Sequence, residues 1–423
     1  MVLLVLIPLL IQFTTPTPEP VPTEERDLVI DNRQQGRTMQ ALYQVEVEAA
    51  RTGWTPILAR TAGDLWREAG DMASAVSYWE ISLSFQPDNA GLIRQIAQTY
   101  IDLQQWTQAY DMLQRFIQYA SEKSWGYFQL GLLRAPFDPS VAVSYLQLAA
   151  QSSDFEVVAN ELLTVLQNNT LDSLMSMRVG FVFMDHELWS HAELAFSQAA
   201  VAGQVLPEAL AYNGLARDRQ GKDGSAWIEQ AVSLAPDNAQ VHYVQALHLR
   251  AIGDNPGSLD ALLLTVSLVP GNPAYCAELA TAYRLLDDLP NAMLWYQQAV
   301  ILSNNAPEFQ RQLALFYAEE ATTLAFLGFD VEGQLSNLTP EDPDVLAELG
   351  WSLYNSGDTE GAQTRINAAL TIDPQNPRAL YYRARILINE GEQIAAVPLL
   401  QIVTQTDNEF SVEAQRILTS LGY

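Results

Sequence analysis

Residues that could do chemistry are few in this chain of 423 residues, and their spacing is poor. Of four histidines, His186 and His191 are five apart, which places them on different sides of a helix or on two helices across a turn. We expect both to be solvent-exposed turn residues. His242 and His248 are six apart and do not face one site on a helix. No pair has the geometry of metal ligands, so the sequence predicts no metal site.

Two further features could suggest chemistry, and neither has the residues that the chemistry requires. The run Gly-Lys-Asp-Gly-Ser at 221–225 resembles part of a phosphate-binding loop, but the earlier glycine and the preceding strand are missing. We interpret it as a turn between helices. Cys276, the only cysteine, lies on an apolar stripe, which favours a buried small side chain over a reactive thiol. The sequence therefore predicts no catalytic residue, no cofactor and no enzymatic activity.

The elements that carry these residues repeat with a period of 34 residues. A small residue is followed at fixed offsets by a large apolar residue, an alanine and a second large apolar residue. Offsets of three and four lie on one face of a helix, so each unit contains two amphipathic helices. Gly-Asp or Asp-Asp separates the two helices, because glycine tolerates left-handed geometry and aspartate caps the next helix. Two units that show the columns are Gly63, Trp66, Ala75, Trp79 and Gly350, Leu353, Ala362, Ile366.

These columns resemble the tetratricopeptide repeat, whose pattern is W-x2-L-G-x2-Y, then A-x3-F, then P. The resemblance covers about residues 56–410, with about ten units. It implies an all-α fold, a right-handed superhelical solenoid of helix-turn-helix repeats with capping helices. Two places depart from the pattern. Residues 154–168 are interpreted as one unpaired helix, and the unit from Pro307 loses its second-helix pattern around 322–337.

The composition along the chain predicts six segments. Residues 1–13 are nearly all apolar, but they are too few to span a bilayer, and they lack the preceding Lys or Arg of an ordinary signal peptide. Because the segment is apolar but short, we interpret it as a signal or a truncated anchor. The acidic flank that follows favours the outer face of a membrane. We therefore expect an exported or membrane-anchored, extracytoplasmic protein, with a cytoplasmic one as the alternative. The other segments are a Thr/Pro/Glu linker at 14–37, an N-terminal repeat block at 38–150, an irregular helical connector at 151–172, a C-terminal repeat block at 173–410 and a capping helix at 411–423.

The charge of the chain limits its partners. With 22 basic and 50 acidic residues the net charge is −28, which excludes nucleic acid as an expected partner because phosphate binding needs clustered cations. The resemblance implies that the first helices of the units line a concave wall, on which arginine and aromatic residues recur. These candidate groove residues are Arg60, Arg67, Arg94, Tyr243, Arg250, Arg284, Arg311, Trp351, Tyr354, Tyr381 and Arg385.

Such a wall suits an extended or acidic peptide, because arginine forks bind carboxylates and aromatic rings supply rigid apolar area. Alternatively, neighbouring Asp and Glu pair with these arginines and use up their charge. The lysine clamp that some family members place around a terminal carboxylate does not carry over, because neither Lys123 nor Lys222, the only lysines, lies on the wall.

We therefore expect a non-enzymatic scaffold that binds a protein or an extended peptide in its groove and is tethered to a membrane through its N-terminus. The alternative is a regulatory or carrier module of an envelope or polysaccharide-export assembly that binds a glycan or a membrane complex. Trp351, Tyr354 and Tyr381 would suit sugar stacking as well as peptide binding.

Overall fold

The computed structural model describes residues 38–167, 173–201, 206–336, 338, 342–406 and 408–423. Over these residues the chain forms 24 helices and no strand, which confirms the predicted all-α class. The segments predicted at 1–13 and 14–37 lie outside the described residues. Among the described helices, none has both the length and the apolar character needed to cross a membrane.

The chain divides into two compact units, residues 1–209 and 210–423. In the first unit, successive helices pack in pairs, α2 with α3, α4 with α5, α6 with α7 and α9 with α10. The helices are α1 (Thr38–Thr52), α2 (Pro56–Glu68), α3 (Met72–Phe85), α4 (Ala90–Asp102), α5 (Trp106–Tyr119), α6 (Ser124–Arg134), α7 (Pro139–Ala149), α8 (Glu156–Gln167), α9 (Ser173–Asp185) and α10 (Trp189–Val201). Helix α8 contacts both α7 and α9 and falls where the sequence predicted an unpaired helix.

Helix α11 (Pro207–Asp218) crosses the boundary, and the second unit continues with pairs α13 with α14, α15 with α16, α20 with α21 and α22 with α23. Its helices are α12 (Ser225–Leu234), α13 (Ala239–Ala251), α14 (Asn255–Leu268), α15 (Pro273–Leu285), α16 (Leu289–Leu302), α17 (Pro307–Glu319), α18 (Ala321–Phe326), α19 (Val331–Ser336), α20 (Pro343–Asn355), α21 (Thr359–Ile372), α22 (Pro377–Asn389), α23 (Gln393–Val403) and α24 (Ser411–Leu421). The two short helices α18 and α19 stand where the unit from Pro307 loses its second-helix pattern.

The turn between the two helices of a pair follows from a left-handed residue and an aspartate cap. Gly70 has φ +87°, and Asp71 accepts a hydrogen bond from the backbone N–H of Ser74 at 2.9 Å to begin α3. Gln104 and Asp287 occupy the corresponding position in other turns, with φ of 56° and 59° although neither is glycine. The Gly-Asp signal is thus a real turn signal, and the turn also forms where the glycine is replaced.

Small residues in the repeat columns allow the paired helices to approach closely. A Cβ atom built on Gly350 would lie 2.7 Å from Cγ1 of Ile366 and 3.1 Å from the backbone oxygen of Ala362. One on Gly180 would lie 2.6 Å from Cε1 of Phe196. These distances are too short for a carbon atom, so glycine is required for the observed packing of the two helices.

The first unit also contains a contact between helices that are far apart in sequence. Gln104 Nε2 donates to Glu193 Oε2 at 2.9 Å, and the rings of Trp106 and His191 lie 5.5 Å apart. His191 is only 5% exposed, so the expectation that it is a solvent-exposed turn residue is wrong. The reason is that α10 packs its His191 side against the start of α5. His186 is half-buried and bonds Glu161 at 2.7 Å.

Candidate functional site

A cleft of about 400 Å3 crosses three first helices of the second unit, α13, α15 and α17. Its apolar lining comes from Ala277, Tyr296, Phe309, Leu315 and Phe316. Because Ala277 has a small side chain on the middle helix, the cleft stays open between the larger rings on either side. The polar lining consists of Glu278, Thr281, Arg284, Glu308, Gln312 and Glu319, and Tyr243 lies at the α13 side.

Aromatic side chains line this cleft and are held by their neighbours. The ring of Tyr243 packs on Tyr275 at 5.2 Å, and Tyr296 packs on Phe316 at 5.1 Å. The hydroxyl of Tyr296 shares a 2.9 Å hydrogen bond with Thr281. Burial raises the pKa of Tyr243, and the Glu278 charge adds to this effect. The phenol therefore stays neutral and presents a hydrogen-bonding group to the cleft.

The arginines of the first helices pair with carboxylates one repeat further along the chain. Arg250 of α13 reaches Glu278 of α15 at 2.8 Å, and Arg284 of α15 pairs with Glu319 of α17. The same arrangement recurs outside the cleft, where Arg311 Nε bonds Asp342 at 2.9 Å. Arg378 of α22 pairs in the opposite direction, with Glu348 of α20 at 2.9 Å. We call these four pairs the arginine ladder. In the ladder, the guanidinium charge is used within the protein, which is the second alternative that the sequence left open.

Arg60, Arg67 and Arg94 lie in the first unit and are held locally. Arg60 donates to Gln95 at 2.7 Å and lies 3.6 Å from Asp64. Arg67 lies 3.8 Å from the same carboxylate. Arg94 is exposed, and its guanidinium lies 4.7 Å from the centre of the Trp125 ring.

Trp351, Tyr354, Tyr381 and Arg385 come together in an aromatic cluster on α20 and α22. The ring of Trp351 stacks on Tyr382 at 5.0 Å with an interplanar angle of 4°. The ring of Tyr354 lies 5.7 Å from the ring of Trp351. The guanidinium of Arg385 lies 5.5 Å from the Trp351 ring and donates to the Tyr381 hydroxyl at 2.9 Å. The rings that were predicted to face a ligand therefore pack largely against one another and against Tyr382.

Sequence reasoning missed a network of Asp218, Ser225 and His248. Asp218 Oδ2 lies 2.7 Å from His248 Nδ1, and His248 Nε2 lies 3.2 Å from Ser225 Oγ. These atoms have the order of an Asp-His-Ser triad. The three residues come from the end of α11, the start of α12 and the body of α13. No local sequence motif therefore indicates the network. His248 is only 5% exposed, and this burial is visible in the structure but not in the sequence.

The direction of the hydrogen bonds indicates a structural role for this network. Ser225 Oγ also lies 2.6 Å from Asp223 Oδ1, and hydrogen bonds from Ser225 lower the pKa of Asp223. An ionised carboxylate only accepts, so the hydroxyl proton points to Asp223 and not to His248. A serine nucleophile needs the opposite polarity. Asp218 Oδ1 in addition accepts from the backbone N–H of Gly224 at 3.0 Å, so the network holds the turn between α11 and α12.

Metal and thiol chemistry find no better support. Over the described parts of the chain, no group of three His, Cys, Asp or Glu side chains could hold a metal ion. Cys276 is buried, as predicted, and burial raises the pKa of its thiol. A thiol in such surroundings is a poor nucleophile.

Comparison with known proteins points to one family. Residues 348–408 match the family model described as a tetratricopeptide repeat. Solved structures similar to this chain include yeast Tom70, with 12% identity, a TM-score of 0.44, and 94% of this chain and 95% of that chain covered. Another is the APC/C hetero-tetramer Cut9-Hcn1, with 12% identity, a TM-score of 0.39 and coverages of 84% and 94%. A third is the P58(IPK) TPR domain, with 14% identity, a TM-score of 0.25 and coverages of 86% and 99%. A comparison with curated protein sequences gives no match.

Proposed function

We propose that this chain, which belongs to the tetratricopeptide-repeat family, is a non-catalytic scaffold that binds an extended segment of a partner protein. The observation that carries the proposal is the cleft across α13, α15 and α17. It combines exposed polar atoms with aromatic and aliphatic area, which is the composition of protein-binding surfaces. The cleft crosses successive helices rather than following one, so an extended segment suits it better than a helix lying in a groove.

The size of the cleft sets the length of the segment. Neighbouring packed helices lie about 8–10 Å apart, so three first helices span about 20 Å. An extended chain advances about 3.3 Å per residue, and about six to nine residues would cross the cleft with a margin at each end. Segments of this length bind through a few anchor side chains, for which Phe309 and Leu315 offer apolar contact.

The glycan hypothesis gains no support from the aromatic cluster. Sugar stacking needs a free aromatic face, and Trp351 packs on Tyr382 and lies beneath Arg385. We therefore propose protein binding alone. An extracytoplasmic location, with tethering through the N-terminus, is a further proposal that is supported by the apolar sequence of residues 1–13.

The test is affinity capture with the full chain and two matched variants. Gln312 is exposed and lines the cleft, so Gln312→Trp fills it without removing a packed side chain. Gln230 is equally exposed on α12 and does not line the cleft, so Gln230→Trp is the control. We expect proteins that the wild-type chain captures after crosslinking to be lost with Gln312→Trp and kept with Gln230→Trp. Equal capture by all three chains would refute the cleft as the binding surface.

A further inference from the structure

We infer that the segment bound in the cleft is positively charged and places an arginine or lysine side chain among Glu278, Glu308 and Glu319. This inference rests on the proposed function and specifies the chemistry of the partner. It differs from the acidic peptide that the sequence alone suggested, and it follows from the way in which the charges of the cleft are paired.

The cleft keeps an uncompensated negative charge. Its lining contains three carboxylates, on Glu278, Glu308 and Glu319, and one guanidinium, on Arg284. Arg250 supplies a second cation through its bond to Glu278, and Arg284 is bound to Glu319. Both arginines are thus engaged with carboxylates of the ladder, and Glu308 is left over. An incoming carboxylate would have to displace a ladder bond and would meet like charge.

Glu308 is placed to hold a cation. It is exposed in the first turn of α17, and no described residue pairs with its carboxylate. A helix N-terminus interacts favourably with a negative charge, which suits a glutamate at this position. Glu308 lies at the start of α17 and Glu319 at its end. Between these two acidic residues, Phe309, Gln312 and Leu315 line the cleft.

Acidic crowding continues just beyond the lining. Glu320 is half-buried, and burial raises its pKa; Arg284 opposes this effect, while the charges of Glu319 and Asp287 add to it. A cation that binds near Glu320 would stabilise the ionised form of its carboxyl group. The net charge of −28 attracts basic segments over a longer range and repels acidic ones.

The aromatic lining of the cleft favours the same class of side chain. Tyr243, Tyr296 and Phe309 line the cleft together with the carboxylates. Guanidinium and ammonium groups bind favourably over aromatic rings, and the aliphatic part of Arg or Lys packs on apolar surface. A site with both rings and carboxylates recognises a long basic side chain along its whole length. A neutral polar side chain would use only the apolar part of such a site.

The test measures binding of three fluorescent peptides to the full chain by anisotropy at physiological ionic strength. The peptides have about nine residues, as three repeats of Ala-Leu-Arg, of Ala-Leu-Gln or of Ala-Leu-Glu. We expect the arginine peptide to bind more tightly than the glutamine peptide, and the glutamate peptide to bind least. Glu308→Lys should weaken binding of the arginine peptide by about tenfold, which corresponds to about 1.4 kcal/mol.

Glu229→Lys is the matched control, because it makes the same change in net charge at an exposed residue of α12 outside the cleft. It should change the affinity by less than about twofold. If both variants weaken binding equally, the peptide responds to overall charge and the site assignment is wrong. If the glutamate peptide binds best, or if no peptide binds, the charge class is wrong. In each of these outcomes, the scaffold proposal is still supported if Gln312→Trp abolishes partner capture. If Gln312→Trp leaves partner capture unchanged, both the scaffold proposal and the charge inference are refuted.

Discussion

Replacing Gly63 by alanine tests whether the close approach of paired helices holds the fold together. A Cβ atom at Gly63 would overlap the indole of Trp79 and lie 2.9 Å from the backbone oxygen of Ala75. The indole cannot move aside easily, because Trp79 is fully buried and its Nε1 donates to Asp64 at 3.1 Å. Overpacking of this kind costs about 1–3 kcal/mol, and the better helix propensity of alanine returns about 1 kcal/mol. We expect the free energy of unfolding to fall by up to about 2 kcal/mol.

Gly91→Ala is the matched control for this substitution. Gly91 also lies in a first helix of the first unit, and its nearest neighbour would be 3.6 Å from the added carbon. Here only the helix propensity changes, so stability should rise by about 0.5–1 kcal/mol. Urea unfolding followed by circular dichroism gives both values. Trp79→Leu removes the indole that the added carbon atom would meet. Gly63→Ala should therefore lower the stability of the Trp79→Leu variant by less than it lowers the stability of the wild-type chain. Equal midpoints for Gly63→Ala and Gly91→Ala would show that the two helices are not in tight contact.

Two further predictions concern histidine networks. Burial lowers the pKa of His191 from 6.5 to about 4, so as the pH falls the unfolded chain takes up a proton before the folded chain does. The contribution of neutral His191 to the free energy of unfolding is therefore complete above pH 6.5. About 3 kcal/mol of it is lost as the pH falls toward 4. His191→Phe should flatten this part of the stability profile, and an unchanged slope in that variant would contradict the buried contact with Trp106. His248→Ala should lower the free energy of unfolding by about 1–3 kcal/mol because Asp218 loses its partner. Neither wild-type chain nor Ser225→Ala should react with a fluorophosphonate probe, and labelling of Ser225 would overturn the structural interpretation of the network.

Local features of the fold were predictable from the sequence because they depend on residues three or four apart. Gly70 and Asp71 specify a turn by their own backbone and side-chain preferences, and the structure confirms it. Glycine and alanine in the repeat columns indicated close helix contact, as Gly350 shows against Ile366. Such signals reside in neighbouring positions and need no knowledge of distant ones.

What the sequence could not predict depends on contacts between distant residues. The burial of His191 results from its packing on Trp106, which lies several helices earlier. The Asp218, Ser225 and His248 network assembles from three helices, and its parts have no fixed spacing. For the arginines, both pairing and ligand binding were compatible with the sequence. The choice depends on whether a carboxylate one repeat away, such as Glu278 for Arg250, falls within reach.

The arginine ladder makes the elasticity of the second unit depend on ionic strength. Each of its bonds ties a first helix to the following repeat. Three of the four pairs are partly exposed, as with Arg250 and Glu278 at 27% and 28%, whereas Arg378 and Glu348 are largely buried. Dissolved ions screen partly exposed charges over about 8–10 Å at ordinary salt concentrations. Apolar contacts are not screened, and in the second unit they join helices of successive repeats as well as the two helices of a pair. Rising salt should therefore weaken the three partly exposed ion pairs between repeats, while the apolar contacts that also join the repeats persist, so the second unit becomes more flexible at these joints without unfolding.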